Sequence, residues 1–148
     1  MATSIFDKLR AGVTTASAAA TQALAVELAA ALPPDATLAL HGNLGVGKTT
    51  FVQGLARGFG ITDAVTSPTF TIYNVHRGPG TMLVHLDAYR LENPAQIEDL
   101  LLEDFLVPPW CLAVEWPEKI AAWIPPGTLH LDLGIAADER HTLKLRPV

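Results

Sequence analysis

The sequence predicts an α/β fold, a three-layer sandwich in which a mostly parallel central sheet with some antiparallel strands lies between helices. Several short apolar runs contain few charged residues, which is typical of strands covered on both faces. Segments of helical character separate these runs. With 148 residues, 49% of them hydrophobic and 17% charged, the chain has enough apolar material for one core. We therefore expect a loose leader over residues 1–14 and a single domain over residues 15–148.

The individual elements follow from composition and from the positions of proline and glycine. The first predicted helix is a stretch rich in Ala and Leu, and Pro33 and Pro34 end this helix. Two apolar runs flank Gly78-Pro79-Gly80, which predicts a hairpin. Strands are expected at 37–41, 70–77, 81–87, 111–115, 128–133 and 141–145. Helices are expected at 16–32, 50–59, 94–105 and 117–123.

Charge and cysteine content exclude several classes of function. The formal net charge is −5 and the isoelectric point about 5.4, so the domain is not expected to hold nucleic acid by itself. Cys111 is the one cysteine, which excludes an internal disulfide, and its apolar neighbours favour a core thiol. The leader lacks an apolar block suited to a signal peptide, and polar residues interrupt the Ala-rich stretch. We expect a cytoplasmic protein without a membrane span.

One motif in the sequence predicts a phosphate site. Residues 42–49 read Gly-Asn-Leu-Gly-Val-Gly-Lys-Thr and fit the P-loop pattern G-x-x-x-x-G-K-[ST] between a predicted strand and a predicted helix. Lys48 is expected to reach the β- and γ-phosphates of ATP, and the Thr49 hydroxyl to ligate Mg²⁺. The predicted fold is therefore a P-loop NTPase-like sandwich. The predicted nucleotide-binding residues are Asn43, Leu44, Gly45, Val46, Gly47, Lys48, Thr49 and Thr50.

Polar residues at the ends of two other apolar strands predict the rest of a catalytic site, because such groups meet at one edge of a parallel sheet. Glu115 is expected to be a metal ligand, directly or through water. Asp87 is expected to orient water or to lie in the outer shell of the metal, with a helix cap or ion pair as the alternative. His85 is interpreted as an ordinary strand residue, with a functional role as the alternative. Trp116 fits a core or interface aromatic as well as a functional one.

A polar loop after the predicted P-loop helix is a further candidate. P-loop proteins place a segment that senses the γ-phosphate in this position. The Thr69 hydroxyl is therefore expected to contact the γ-phosphate or the metal, and a plain Ser-Pro turn is the alternative.

Four segments occur in a fixed order along the chain: G-x-L-G-x-G-K-T-T at residues 42–50, S-P-T-F at 67–70, H-x-D-x-Y-R at 85–90 and E-W at 115–116. Together they resemble the bacterial TsaE (YjeE) family of tRNA threonylcarbamoyladenosine biosynthesis ATPases. The resemblance spans about residues 15–146. Asn43 stands where the family often has an acidic residue, and the first dozen residues are an extension that the family does not require.

The resemblance implies a small ATPase that supports threonylcarbamoyl transfer to adenosine 37 of tRNAs reading codons that start with A. The transfer takes place on the partner TsaD, paired with TsaB, and tRNA is reached only indirectly. The family pattern places phosphate on Lys48, Mg²⁺ on Thr49 and Glu115, assistance to hydrolysis on Asp87 and a functional role on Trp116. Thr21 and Arg140 are candidates for adenine contacts.

Two alternatives compete with this interpretation. A small-molecule kinase usually needs an arginine-bearing lid, and the arginines here are scattered with no insert to carry one. A GTP-dependent switch would carry an Asn-Lys-x-Asp motif, which the sequence lacks.

Overall fold

The fold is described from a computed structural model, which covers residues 4–43, 45–68, 71–93, 95–104 and 106–147. The helices are α1 (Ile5–Ala11), α2 (Ala18–Ala31), α3 (Lys48–Gly58) and α4 (Ala95–Glu98), with 3₁₀ turns at Leu102–Asp104 and Pro117–Ile120. The strands are β1 (Val13–Thr15), β2 (Ala36–His41), β3 (Tyr73–Arg77), β4 (Met82–Asp87), β5 (Trp110–Glu115), β6 (Leu129–Ile135) and β7 (His141–Leu145).

The strands form one seven-stranded sheet in the order β1-β7-β6-β2-β5-β4-β3. The four central strands β6, β2, β5 and β4 are parallel, and antiparallel strands flank them on both sides. The predicted α/β class and the mostly parallel sheet are therefore confirmed. Because the parallel strands end at one edge, the segments that follow β2, β4 and β5 lie next to one another.

Each face of the sheet carries its own apolar core. Side chains alternate along the strands, so that in β4 Leu83 faces one core while Val84 and Leu86 face the other. The first core lies beneath α1, α2 and α3, and Phe51 and Leu55 of α3 are fully buried in it. The second core lies beneath α4 and the two 3₁₀ turns. This is the predicted three-layer arrangement. In the described ranges, no helix is both long and apolar enough to cross a bilayer.

Helices α2 and α3 approach closely because α3 presents two glycines, Gly54 and Gly58, on one face. A Cβ atom added at Gly54 would lie 2.6 Å from the backbone oxygen of Gln22 and 2.6 Å from Cβ of Ala25. The same addition at Gly58 would lie 2.6 Å from Cβ of Ala29. The two glycines therefore set the separation of these helices, and with it the position of the amino end of α3.

We expect Gly54→Ala to lower the thermal midpoint of unfolding by several degrees. Overpacking costs about 1–3 kcal/mol, and here the two closest atoms are an alanine Cβ and a backbone oxygen, neither of which can rotate away. This cost exceeds the gain of about 1 kcal/mol that alanine brings inside a helix. Gly80→Ala is the matched control, because no atom lies within 4 Å of its added Cβ. Equal midpoints for the two variants in a calorimetric scan would contradict the close packing of α2 on α3.

The leader predicted to be loose is instead ordered over its described residues, and this expectation is corrected. Ser4 caps α1 by accepting a hydrogen bond from the backbone N–H of Asp7 at 3.1 Å. Ile5 and Leu9 lie one helical turn apart and are buried in the first core. Strand β1 follows and pairs with β7, with Val13 opposite Leu143. The Ser4 cap and the buried pair of Ile5 and Leu9 therefore hold this segment against the first core.

The long helix predicted over residues 94–105 is also corrected. Its described part contains only α4 and a 3₁₀ turn, and Pro94 and Phe105 lie outside the described residues. Leu101 breaks the helix with a φ of 52°. The break lets Ile97 and Leu102 both enter the second core. The helix predicted at 117–123 is likewise a 3₁₀ turn, Pro117–Ile120.

Candidate nucleotide site

A cavity of about 500 Å³ opens at the carboxyl edge of the parallel strands. The loop after β2 forms one wall, and the ends of β4 and β5 form another. The volume is within the range of small-ligand and cofactor sites. Its lining residues are Gly45, Gly47, Lys48, Thr49, Thr50, Ser67, Asp87, Glu115, Trp116 and His141.

The loop reaches α3 through glycines in the left-handed region. Gly47, with a φ of 99°, is the N-cap of α3 and offers no side chain to the first helical N–H groups. The N–H groups of this first turn are therefore available to bind an anion, which the positive end of the helix dipole also favours. A Cβ atom at Gly42 would lie 2.7 Å from the backbone oxygen of Leu133, so glycine lets the loop pack on β6.

His141 supports the loop from β7, and the sequence analysis did not identify it. Its Nδ1–H donates to the backbone oxygen of Val46 at 2.9 Å, and an added Cβ at Gly47 would lie 3.5 Å from the same nitrogen. A histidine at the start of a strand carries no local signal for this contact. Val46 itself is buried. His141 therefore holds the loop in place and lines the cavity at the same time.

Lys48 is buried and held by two partners. Its Nζ donates to the backbone oxygen of Gly42 at 2.6 Å and lies 3.7 Å from the ring centroid of Trp116. Burial lowers the pKa of Lys48, while the carboxylates of Glu115, Asp87 and Glu118 act in the opposite direction. A cation in this position faces the cavity with little water around it. It is suited to binding a polyanion.

Thr49 and the two predicted carboxylates line the same cavity as the loop glycines. Thr49 Oγ1 donates to Oε2 of Glu115 at 3.4 Å. Asp87 and Glu115 are paired residues in the register of β4 and β5, and each is 4% exposed. Oδ1 of Asp87 also accepts from the N–H of Tyr89 at 2.9 Å. A hydroxyl and buried carboxylates beside a phosphate-binding loop are the oxygen ligands that Mg²⁺ prefers, so the residues present fit a nucleotide-bound magnesium ion.

Trp116 connects the cavity to the surface. Its backbone is left-handed, with φ 56° and ψ 49°, which turns the chain sharply after β5. Its ring lies 5.0 Å from the ring of Tyr89, which is 44% exposed. Lys119 Nζ lies 5.8 Å from the Tyr89 ring on the outside. Trp116 is therefore packed between the buried Lys48 and an exposed aromatic residue.

The remaining predicted residues lie elsewhere or outside the described part of the chain. Asn43 is exposed and lines a neighbouring cavity. The Thr21 hydroxyl is buried between α2 and β1, 2.7 Å from the hydroxyl of Thr15. The Arg140 guanidinium lies on the surface, 3.3 Å from Asp138, and does not line the cavity described above. Leu44 and Thr69 lie outside the described residues.

The loop between β2 and α3, set at the edge of a parallel sheet, defines the P-loop class of α/β proteins. Within this class, the family model described as "Threonylcarbamoyl adenosine biosynthesis protein TsaE" matches residues 15–143. The chain belongs to the TsaE family, which confirms the resemblance.

Individual relatives agree with this assignment. A protein of Synechocystis named "tRNA threonylcarbamoyladenosine biosynthesis protein TsaE" is 47% identical over 64% of this chain. That match covers 62% of the relative, so the chain spans less than two thirds of its length. The Bacillus subtilis protein of the same name is 38% identical, over 86% of this chain and 80% of its own. The crystal structure of Bacillus subtilis YdiB superposes with a TM-score of 0.73 at 34% identity, covering 89% of this chain and 81% of that one.

Proposed function

We propose that the protein is a magnesium-dependent ATPase that supports threonylcarbamoyl modification of adenosine 37 in tRNA. The observation that carries the proposal is the convergence of Lys48, Thr49, Asp87 and Glu115 on one cavity beside the P-loop. The family description supports a role in this modification pathway. The cation and the oxygen ligands of the cavity support ATP with Mg²⁺ as the proposed cofactor.

Each group has a distinct role in this proposal. The N–H groups at the start of α3 and the Lys48 ammonium hold the phosphates. Thr49 and Glu115 would hold the metal, which when bound would neutralise charge that develops on the phosphates. Asp87, buried beside Glu115, accepts a hydrogen bond from the attacking water and orients it. Trp116 covers Lys48 and limits the access of bulk water.

The charge of the chain supports action through protein partners. A net charge of −5 opposes direct binding to the phosphates of tRNA. The proposed partners are TsaD and TsaB. The ATPase docks on this pair, and its binding and hydrolysis of ATP drive the pair through its reaction cycle. The exposed Tyr89 beside Trp116 provides an aromatic contact at the mouth of the cavity, as protein interfaces favour. A kinase is disfavoured, because no arginine lines the described part of the cavity.

Steady-state ATPase assays with and without a purified TsaB–TsaD pair test this proposal. We expect slow hydrolysis by the protein alone and faster hydrolysis with the pair. A tagged protein should recover the pair from lysate in an ATP-dependent manner and should not retard tRNA in a gel without it. Rapid hydrolysis by the protein alone would contradict action through the TsaB–TsaD pair. Recovery of a metabolic enzyme complex instead of that pair would favour the kinase alternative.

A further inference from the structure

His85 contacts the proposed metal ligand from inside the sheet. It lies on β4 two residues before Asp87 and on the same face. In the register of β4 and β5 it stands opposite Ala113, so Glu115 is its diagonal neighbour. Its Nε2–H donates a hydrogen bond to Oε2 of Glu115. The same oxygen accepts from Thr49 on α3. Two elements therefore hold one carboxylate oxygen.

The hydrogen-bonding state of the His85 ring follows from its surroundings. The side chain is 0% exposed, and its Nδ1 has no hydrogen-bond partner among the described residues. An ionised carboxylate only accepts, so Nε2 carries the proton of this pair. The ring therefore offers Glu115 one donor, the Nε2–H group.

We infer that His85 is a positioning residue that orients the Glu115 carboxylate for the magnesium ion of the bound nucleotide. This inference rests on the proposed function. His85 does not itself line the cavity, whereas Thr49 and Glu115 do. Groups that hydrogen-bond to a metal ligand fix its orientation, and their loss typically weakens metal binding by about 10–100-fold. The histidine thus acts through Glu115.

Two amide substitutions separate this role from simple packing. In His85→Gln the amide nitrogen reaches the place of Nε2 and can still donate to Glu115. In His85→Asn the side chain is shorter by one methylene and its amide stops near the place of Nδ1. Both variants remove the ring and neither can carry an imidazolium charge. They differ in whether the donor reaches the carboxylate.

The measurement is the Kd of a non-hydrolysable ATP analogue, by calorimetry, with saturating MgCl₂ and with excess EDTA. The Kd in EDTA divided by the Kd in MgCl₂ reports the contribution of the metal to binding. For His85→Asn we expect this ratio to fall by about 10-fold or more, with the Kd in EDTA unchanged. For His85→Gln we expect a ratio within a few-fold of the wild type. Thermal melts of both variants report folding separately.

Several outcomes would overturn the inference. One such outcome is a wild-type Kd ratio in His85→Asn, and another is an equal loss of this ratio in both variants. A third is a change in the thermal midpoint alone, which is expected if the His85–Glu115 pair is purely structural. If His85→Asn does not fold, His85→Gln decides alone, since loss of the magnesium effect in that variant contradicts positioning by the Nε2 donor. Failure of the proposed function is distinguishable, because the wild type would then show no nucleotide binding or no magnesium effect.

Discussion

Lys48→Ala is expected to raise the Kd for ATP by about 100-fold or more. The substitution removes the buried cation that faces the cavity, and hydrogen bonds to charged groups contribute about 1.5–3 kcal/mol each. Isothermal titration calorimetry with MgATP measures the loss. The fold should be retained, because the hydrogen bond lost with Gly42 involves a loop and no strand pairing.

Lys119→Ala is the control for this prediction. Lys119 also faces an aromatic ring, that of Tyr89, but it is exposed and does not line the cavity. The two variants change the net charge equally. Nucleotide affinity should therefore be near the wild-type value in Lys119→Ala. Wild-type affinity in Lys48→Ala would place the phosphates somewhere other than this loop.

Glu115→Gln and Asp87→Asn are expected to lower the rate of hydrolysis by about 100-fold or more, as removal of one preorganised group in an active site typically does. The Kd for ATP should change less than the rate of hydrolysis, by about 10-fold in Glu115→Gln through weaker metal binding, because the loop and Lys48 remain in place. Both carboxylates are buried at paired positions of β4 and β5, so an amide of the same size preserves the packing. Single-turnover assays at saturating ATP separate hydrolysis from binding.

Asp132→Asn is the matched control for these two carboxylates. Asp132 lies on β6 and pairs with Arg146 through contacts of 2.8 and 2.9 Å, away from the lining of the cavity. The hydrogen bonds from Arg146 hold the pKa of this carboxyl below its usual value. Its neutralisation affects stability and leaves turnover unchanged. If Glu115→Gln or Asp87→Asn lost affinity and turnover equally, the division of roles proposed for them would be wrong.

The central part of the fold and site was predictable because its signals are local. The glycine pattern, the apolar strand before it and the helix after it all lie within residues 37–59, and each constrains the others. The carboxylates at 87 and 115 were predictable because parallel strands bring their ends together. These positions line the same cavity, as expected of one site.

The features that were missed depend on contacts across the sheet. His141 reaches Val46 from a strand ninety-five positions further along the chain, and no periodicity signals that contact. The pairing of His85 with Glu115 needs the register of β4 against β5, which the apolar runs do not specify. Helix α1 has only seven residues and one buried apolar pair, which is too short a pattern to predict a helix from the sequence.

The contact between Lys48 and Trp116 links the buried lysine to the surface of the protein. The ammonium group donates to the Gly42 carbonyl and lies over the indole ring. If nucleotide binds as proposed, its phosphates exchange with these contacts, and the affinity is the difference between two sets of partners of the same lysine. The same indole contacts the ring of the exposed Tyr89, so a movement of Trp116 would alter the surface at that residue.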